Sequence, residues 1–367
     1  MHSEIPQHAA APTLAESAHG SPAAGRFEQL PKWLNLVPMV VQWAWLGFRY
    51  GSLTLSSAAN PRITAGGLVG EGKLEYFRIM GPLALGACAE HVGFLIGAQT
   101  VLADLTDAMA RTGLQFPVMV KPDLGWCGFG VNKISDRPEL ERYLSRYPRE
   151  QTLLLQRYLP EDGEAGLFYA REPGSASGEL IGVLLRHYPQ AVGNGRDTLA
   201  ELVAGDARLR RSMGSHLHRG DYEPAYVPRA GEKVRLSTIA STRVGGLYED
   251  ATALVTPALR ARVDAIARDM RDFHIGRFDV RFTTLEALQR GEFTIMEVNG
   301  AGSEAVHAWD PKYSIRQVYR MVFAKQRLLF RIADANRRKG HRPIGKMRLA
   351  RLYLEQQRLM ALYPPSN

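Results

Sequence analysis

The chain predicts an α+β fold, and three observations carry that expectation. Strand-like and helix-like segments are interspersed without the even strand–helix–strand rhythm that builds a parallel sheet. Residues 276–282 and 293–299 alternate strictly between apolar and polar, as the arms of a half-buried hairpin do. Just before them, residues 259–273 (LRARVDAIARDMRDF) place apolar side chains at helical spacing. With 367 residues, 45% of them hydrophobic and 23% charged, the chain has room for two or three lobes.

The elements follow in order. Residues 1–26 are rich in Ala, Pro, Ser, Gly and His and lack an apolar run, which predicts a disordered tail without a signal peptide. Residues 34–48 (LNLVPMVVQWAWLGF) predict a buried helix interrupted near Pro38. The run is shorter than the ~20 residues needed to cross a bilayer. Its alternative is an interfacial helix with Trp33, Trp43 and Trp45 at headgroup level. A Gly- and Pro-rich passage, residues 60–73, leads into a helix starting at Leu74. Strands are expected at 118–120, 131–134, 153–155, 167–169 and 180–185. Helices are expected at 137–147, with Pro138 in its first turn, and from Thr198, capped by Asp197 or Thr198. Basic amphipathic helices run from Ile315 onward, broken around residues 340–345.

The net charge is +9, and the excess crowds the last stretch, from Arg316 and Arg320 to Arg351 and Arg358. Such a block reads first as a solvated helix face; its alternative is an anionic partner surface. Nucleic acid is not the expected partner. The two cysteines, Cys88 and Cys127, cannot form a disulfide framework, which implies a reducing, cytoplasmic setting. Peripheral membrane contact through the Trp33/Trp43/Trp45 helix and the basic C-terminus stays open, as does a homodimer.

The chemistry concentrates in a few places. On the predicted hairpin, Arg277, Asp279 and Arg281 share one strand face and Phe278, Val280 and Phe282 the other. Pairing would bring Asp279 opposite Glu297 and Asn299. Hard oxygen ligands with room left for phosphate suit Mg²⁺, with Mn²⁺ as a substitute. Upstream, Lys121 ends a buried strand and is followed by Gly125, Gly128 and Gly130. A lysine so held acts as a point charge on phosphate, and glycines let backbone N–H groups approach phosphate oxygens. Residues 152–156 and then Arg157-Tyr158-Leu159 read as an exposed sheet edge able to hydrogen-bond a purine, with Glu164 placed for ribose hydroxyls.

Taken in order, residues 116–131, 156–164, 276–280 and 296–299 resemble the ATP-grasp superfamily, particularly D-alanine–D-alanine ligase-like enzymes. The middle passage, with Arg186, residues 192–202, 227–232 and 242–246, is similar to cyanophycin synthetase-like ligases of that superfamily. The resemblance implies two α+β lobes clasping ATP, an atypical N-terminal region and basic C-terminal helices. It implies a tail over 1–26, an apolar helix and Gly-rich substrate side over 27–115, an ATP-grasp domain over 116–310 and a basic helical extension over 311–367. Carried over, it places Lys121 on the phosphates, Gly125 to Gly130 over the triphosphate, and Gln156, Arg157, Tyr158 and Leu159 around adenine. Glu164 falls on ribose, Asp279, Glu297 and Asn299 on the metal, and Arg277 on a developing oxyanion. Arg243 is assigned to carboxylate recognition, and residues 192–198 to a loop that closes the site. The activity implied is ATP-dependent joining of a small carboxylate to an amine through an acyl phosphate.

The chain departs from the family pattern. The additional lysine usual before the small lobe is missing, since residues 101–120 contain none. Gln156 stands where an acidic residue commonly opens the hinge. Gly67 to Lys73 matches P-loop spacing, but Leu74 replaces the metal-binding Ser or Thr, and no buried strand precedes it. Lys73 and its loop are therefore expected to line the substrate or phosphate side of the cleft, with Lys73 a candidate to replace the missing lysine. His307, ahead of His187 and His274, is the expected proton acceptor. The competing activities are an ATP-dependent kinase and a non-catalytic nucleotide-binding protein docking on membrane or acidic partners.

Overall fold

A computed structural model of the chain describes residues 25–366, apart from 127, 214–222, 238–239 and 241, and apart from the side chains of 26, 28, 32, 211–213 and 243. The alternation of small-lobe residues builds a four-stranded antiparallel sheet from β1 (His91–Ile96), β2 (Val118–Pro122), β3 (Asn132–Ile134) and β4 (Gln151–Arg157), in the order β1-β4-β2-β3. Its covered face carries Val118, Val120, Leu153 and Leu155. Against them pack Leu105 and Met109 of helix Leu102–Arg111 and Leu140 and Leu144 of helix Arg137–Arg146. Pro138 lies in the first turn of the latter helix, and Asp136 caps it by accepting from Glu139 N at 2.8 Å.

The second sheet has five strands, β5 (Gly163–Ala170), β6 (Glu179–His187), β9 (Leu247–Asp250), β10 (Ile275–Phe282) and β11 (Thr294–Asn299). They are ordered β11-β10-β5-β6-β9, while β7 (Gln190–Val192) and β8 (Lys233–Arg235) pair as a separate ribbon. Every pairing is antiparallel among these strands, so the α+β expectation holds. Phe278, Val280 and Phe282 turn into the core with Leu167, Tyr169 and Val183, under Leu259, Val263 and Ile266 of helix Pro257–Arg268. That period-2 burial leaves the other face of β10, with Arg277, Asp279 and Arg281, toward the cleft.

Two expectations need correction. Residues 152–157 are not an edge. β4 lies inside its sheet because β1, drawn from a stretch not read as a strand, covers it. The apolar helix is neither interrupted nor buried. It runs unbroken over Lys32–Arg49 with Pro38 inside, and Val40, Val41 and Phe48 are exposed. Pro38 cannot donate to the carbonyl one turn earlier, at Leu34, but Leu34 is exposed and water can take that bond.

The Gly-rich passage is structured by Asn60, which is fully buried. Its Nδ2 donates to Ile275 O at 2.8 Å and Gly66 O at 3.0 Å, and its Oδ1 accepts from His274 N at 2.8 Å and Ile275 N at 3.1 Å. One side chain thus ties this loop to the start of β10. Downstream, Gly67 meets Gly300 so closely that a Cβ on Gly67 would come within 2.6 Å of the Gly300 Cα. Replacing Asn60 by Ala strands buried backbone groups with no substitute partner, so Asn60→Ala is expected to cost about 2–3 kcal/mol, read as a lowered urea midpoint at unchanged slope.

Candidate functional site

The cleft between the two sheets collects the charged residues. In the β10–β11 hairpin Asp279 faces Glu297 and Arg277 faces Asn299, with a bulge between Asp279 and Val280. Asp279 is almost fully buried. Arg277 grips it bidentately, Nε to Oδ1 at 2.6 Å and Nη2 to Oδ2 at 2.8 Å. Asn299 Nδ2 donates to its Oδ2 at 3.0 Å and Arg186 Nη2 to its Oδ1 at 3.2 Å. Burial alone would raise the Asp279 carboxyl, but Arg186 and Arg277 outweigh it and hold the group below the usual carboxylate range. The approach needs Gly166 on the neighbouring strand, where a Cβ would come within 2.9 Å of Arg277 Cδ.

From the other sheet, Lys121 reaches across the cleft. Its Nζ donates to Gln156 Oε1 at 2.7 Å and to Met296 O, beside Glu297, at 3.3 Å. Burial pushes the Lys121 ammonium down to about 8, with Lys73 adding to the effect and Glu297 opposing it. Gln156 is buried and its Nε2 lacks a partner, a donor aimed at no protein atom. Arg157 N donates to Glu90 O at 2.8 Å, and its side chain pairs with Glu90, so both are already engaged. Only Tyr158 and Leu159, past the end of β4, have left its ladders for backbone recognition.

Lys73 does reach this place. It opens helix Lys73–Ile79, its Nζ donates to Pro122 O at 3.0 Å, and Glu297 Oε1 lies 3.7 Å away. The loop holding Gly125, Gly128 and Gly130 passes over it, with Gly128 and Gly130 at positive φ. The far end of the chain holds that loop: Tyr363 donates to Leu124 O at 2.6 Å and Ser366 Oγ to Gly128 O at 2.6 Å. Cys127 lies outside the described residues. The turn Gly67–Lys73 is no P-loop, because 3-10 turns and not a strand lead into it.

Glu164 accepts from Arg186 Nη1 at 2.9 Å, from Tyr188 at 2.5 Å and, more loosely, faces Arg281 at 3.3 Å. Arg186 therefore bridges Glu164 and Asp279, a role sequence reading missed. Its place opposite Glu164 follows from the β5–β6 register, in which Ala165 faces Leu185. Two further groups were also missed. Lys325, on helix Ile315–Arg338, donates to Ala301 O at 3.0 Å and to Ser303 O, and burial pushes it down to about 8. Glu71, whose Oε2 is enclosed without a partner, is pushed up to about 7 by burial. His307 is buried against Phe168 with ring centroids 4.9 Å apart, and burial lowers it toward the neutral imidazole. His274 is pushed down to about 4 by burial, and His187 pairs with Glu249 at 2.7 Å. Arg243 falls in the short turn Thr242–Val244, and its side chain lies outside the described residues.

The residues near the hairpin suit a hard dication in kind. Asp279, Glu297 and Asn299 stand on adjacent strands with no sulfur or imidazole among them, and both Asp279 oxygens are already taken by Arg277, Arg186 and Asn299, so Asp279 would have to release a partner to ligate. Among the described residues no three His, Cys, Asp or Glu side chains form a cage.

No family model and no curated protein matches the chain by sequence. By structure it is similar to VanG D-Ala:D-Ser ligase from Enterococcus faecalis, at 14% identity and TM-score 0.41, over 73% of this chain and 64% of that one. It is similar to D-alanine–D-alanine ligase from Bacillus anthracis, at 14% identity and TM-score 0.37, over 70% and 66%. A bifunctional glutathione synthetase from Pasteurella multocida matches at 17% identity and TM-score 0.37, over 72% and 38%. The chain spans less than two thirds of the length of each of these proteins.

Two outcomes follow from the geometry. Lys121 is charged below about 8 and neutral above, so its pull on an anionic phosphate fades as pH rises through that value. If the cleft holds ATP by its phosphates, the KM for ATP is expected to climb several-fold between about pH 7 and about pH 9, and Lys121→Ala should start high and lose that step. On the same condition Lys73→Ala is expected to weaken nucleotide binding by about tenfold in titration calorimetry, since the second ammonium of the cleft is then lost.

Proposed function

We propose that the chain is an ATP-dependent ligase of the ATP-grasp superfamily, joining a carboxylate to an amine and releasing ADP and phosphate. The observation that carries this reading is the contact of Lys121 Nζ with Met296 O at 3.3 Å. It brings the lysine and glycine loop of one sheet against Glu297, Asp279 and Asn299 of the other. A phosphate-binding end and an oxygen-ligand end then share one cleft.

In this reading Lys121 and Lys73 hold the phosphates, backbone N–H groups around Gly125, Gly128 and Gly130 cover them, and Tyr158 and Leu159 present their backbone to adenine. Gln156 Nε2 supplies a further donor, and Glu164 faces the ribose. Asp279, Glu297 and Asn299 would hold Mg²⁺, or Mn²⁺ in its place, which neutralises phosphate charge during transfer. The substrate carboxylate attacks the terminal phosphorus, and ADP leaves with the electron pair of the broken bond. An amine then adds to the acyl phosphate, and the tetrahedral intermediate expels phosphate while the amine loses its proton. Arg277 is assigned to the oxyanion of that intermediate, through the N–H groups that its bidentate hold on Asp279 leaves free. Arg243 is assigned to the substrate carboxylate, and the loop that leaves β7 toward helix Leu199–Gly205, over residues 192–198, to closure of the site. Positioning and charge neutralisation supply the rate, without a covalent enzyme nucleophile.

The test is an ADP-release screen over paired amino acids and small carboxylates, with mass spectrometry of the product. An amide product supports the reading; a phosphorylated product without an amide makes the protein a kinase, and no turnover with any pair makes it a nucleotide binder. Once a substrate pair is found, Asp279→Asn and Glu297→Gln are each expected to lower kcat by at least about a hundredfold with the far-UV spectrum unchanged. Near-normal turnover in both would remove the metal assignment.

A further inference from the structure

Helix Lys32–Arg49 turns only a narrow side to the protein. Leu46 is buried, and Trp43 stacks edge-on against Phe330 with centroids 5.1 Å apart. Gln42 Nε2 donates to Phe323 O at 2.9 Å. The rest of the helix surface is apolar and open. Trp33, Val37, Val40, Val41, Trp45 and Phe48 are exposed, Phe48 to 88%. At 100° per residue Trp33, Val37, Val40, Val41 and Phe48 form one continuous face. The helix contains no acidic residue, and among the described residues nothing covers this face. Soluble monomers seldom leave so large an apolar patch bare without a use for it.

A row of arginines runs alongside. Arg316, Arg320, Arg327 and Arg331 of helix Ile315–Arg338 recur at helical spacing and are all exposed; Arg331 also pairs with Glu172 at 3.2 Å. A cavity of about 700 Å³ lies between the two helices, lined by Trp45 and Arg49 from one and Arg327 and Arg331 from the other. Exposed Trp45, on the flank of the apolar face, and two members of the arginine row therefore share this cavity.

We propose that this combined face docks on the surface of an anionic lipid bilayer. The helix lies in the plane of the interface with Trp33, Val37, Val40, Val41 and Phe48 in the acyl boundary, and the arginines stand at the level of the lipid phosphates. No helix is long and apolar enough to cross a membrane, so the contact is peripheral. Charge favours this occupant over a second copy, because a symmetric contact through the same face would bring two arginine rows together. The first 24 residues, largely Ala, Pro, Ser, Gly and His, offer little apolar surface to cover it instead. The proposal rests on this surface and stands apart from the ligase reading.

The experiment is co-sedimentation of the full chain with vesicles of phosphatidylcholine alone and of phosphatidylcholine with roughly a quarter phosphatidylglycerol. Binding to the anionic vesicles only, weakened by salt, is the expected result. Val40→Asp with Phe48→Asp, and separately Arg320→Glu with Arg327→Glu, should each lower the bound fraction by about tenfold or more. All four are surface positions, and the circular dichroism of each variant checks its fold; two independent pairs keep the test valid if one misfolds. Failure to bind anionic vesicles, equal binding to both vesicle types, or insensitivity to both pairs overturns the proposal. Conversion of a dimer to a monomer by the aspartates, in a protein that ignores vesicles, would assign the face to a second copy.

Discussion

The buried charge of Asp279 sets the arrangement around it. A carboxylate with so little exposure is tolerated only when paired and hydrogen-bonded, and removing a partner leaves an uncompensated charge. Arg277 takes both of its oxygens, Arg186 and Asn299 one each. Arg186 then extends to Glu164, and Glu164 to Arg281. One carboxylate thereby fixes the rotamers of side chains from β5, β6, β10 and β11. The floor of the cleft is rigid because no member of this network can turn away without stranding another.

The second constraint is the route by which a loop before the small lobe reaches the same place. Asn60 joins that loop to the head of β10, and Gly66 and Gly67 accept from Ala301 N at 3.2 Å and Gly302 N at 2.6 Å, just beyond Asn299. The chain is thus pinned at both ends of the cleft strands before it turns at Gly72 into the helix that starts with Lys73. Lys73 is thereby brought beside Glu297, 3.7 Å away, with its ammonium held by Pro122 O instead of by a strand of its own.

The local signals were the legible ones. Alternation in residues 276–282 and 296–299 gave the hairpin and its two faces, because side-chain period follows directly from strand geometry, while the register, with Arg277 opposite Asn299 and a bulge after Asp279, emerged only from the pairing. The position of Lys121 at a strand end was equally plain. What failed depended on distant pairing. β1 is short and begins with a histidine, and only its partner β4 reveals it; without it, β4 looked like an edge. Arg186 carries no local mark, since its neighbour Glu164 becomes visible only when β5 and β6 are in register. The burial of residues 34–48 could not be judged from composition, because an apolar helix is equally at home under a lobe or facing outward. Here helix Ile315–Arg338 contacts just one side of it.

The net charge of +9 resolves into populations with different physics. Lys121, Arg186, Arg277, Arg281 and Lys325 are enclosed near carboxylates or carbonyls. Their desolvation is offset by partners and would be offset further by an anionic ligand, so they act at short range and resist screening by salt. Arg316, Arg320 and Arg327 point into water with no carboxylate to hold them among the described contacts, and their attraction is long-ranged and salt-sensitive. A stability role would need the second group paired, as Arg337 and Arg338 are with Asp334 at the end of the same helix. Leaving a row of cations unpaired beside an open apolar face adds self-repulsion to the folded state. Among the described residues, an external anionic surface is the partner that would relieve it.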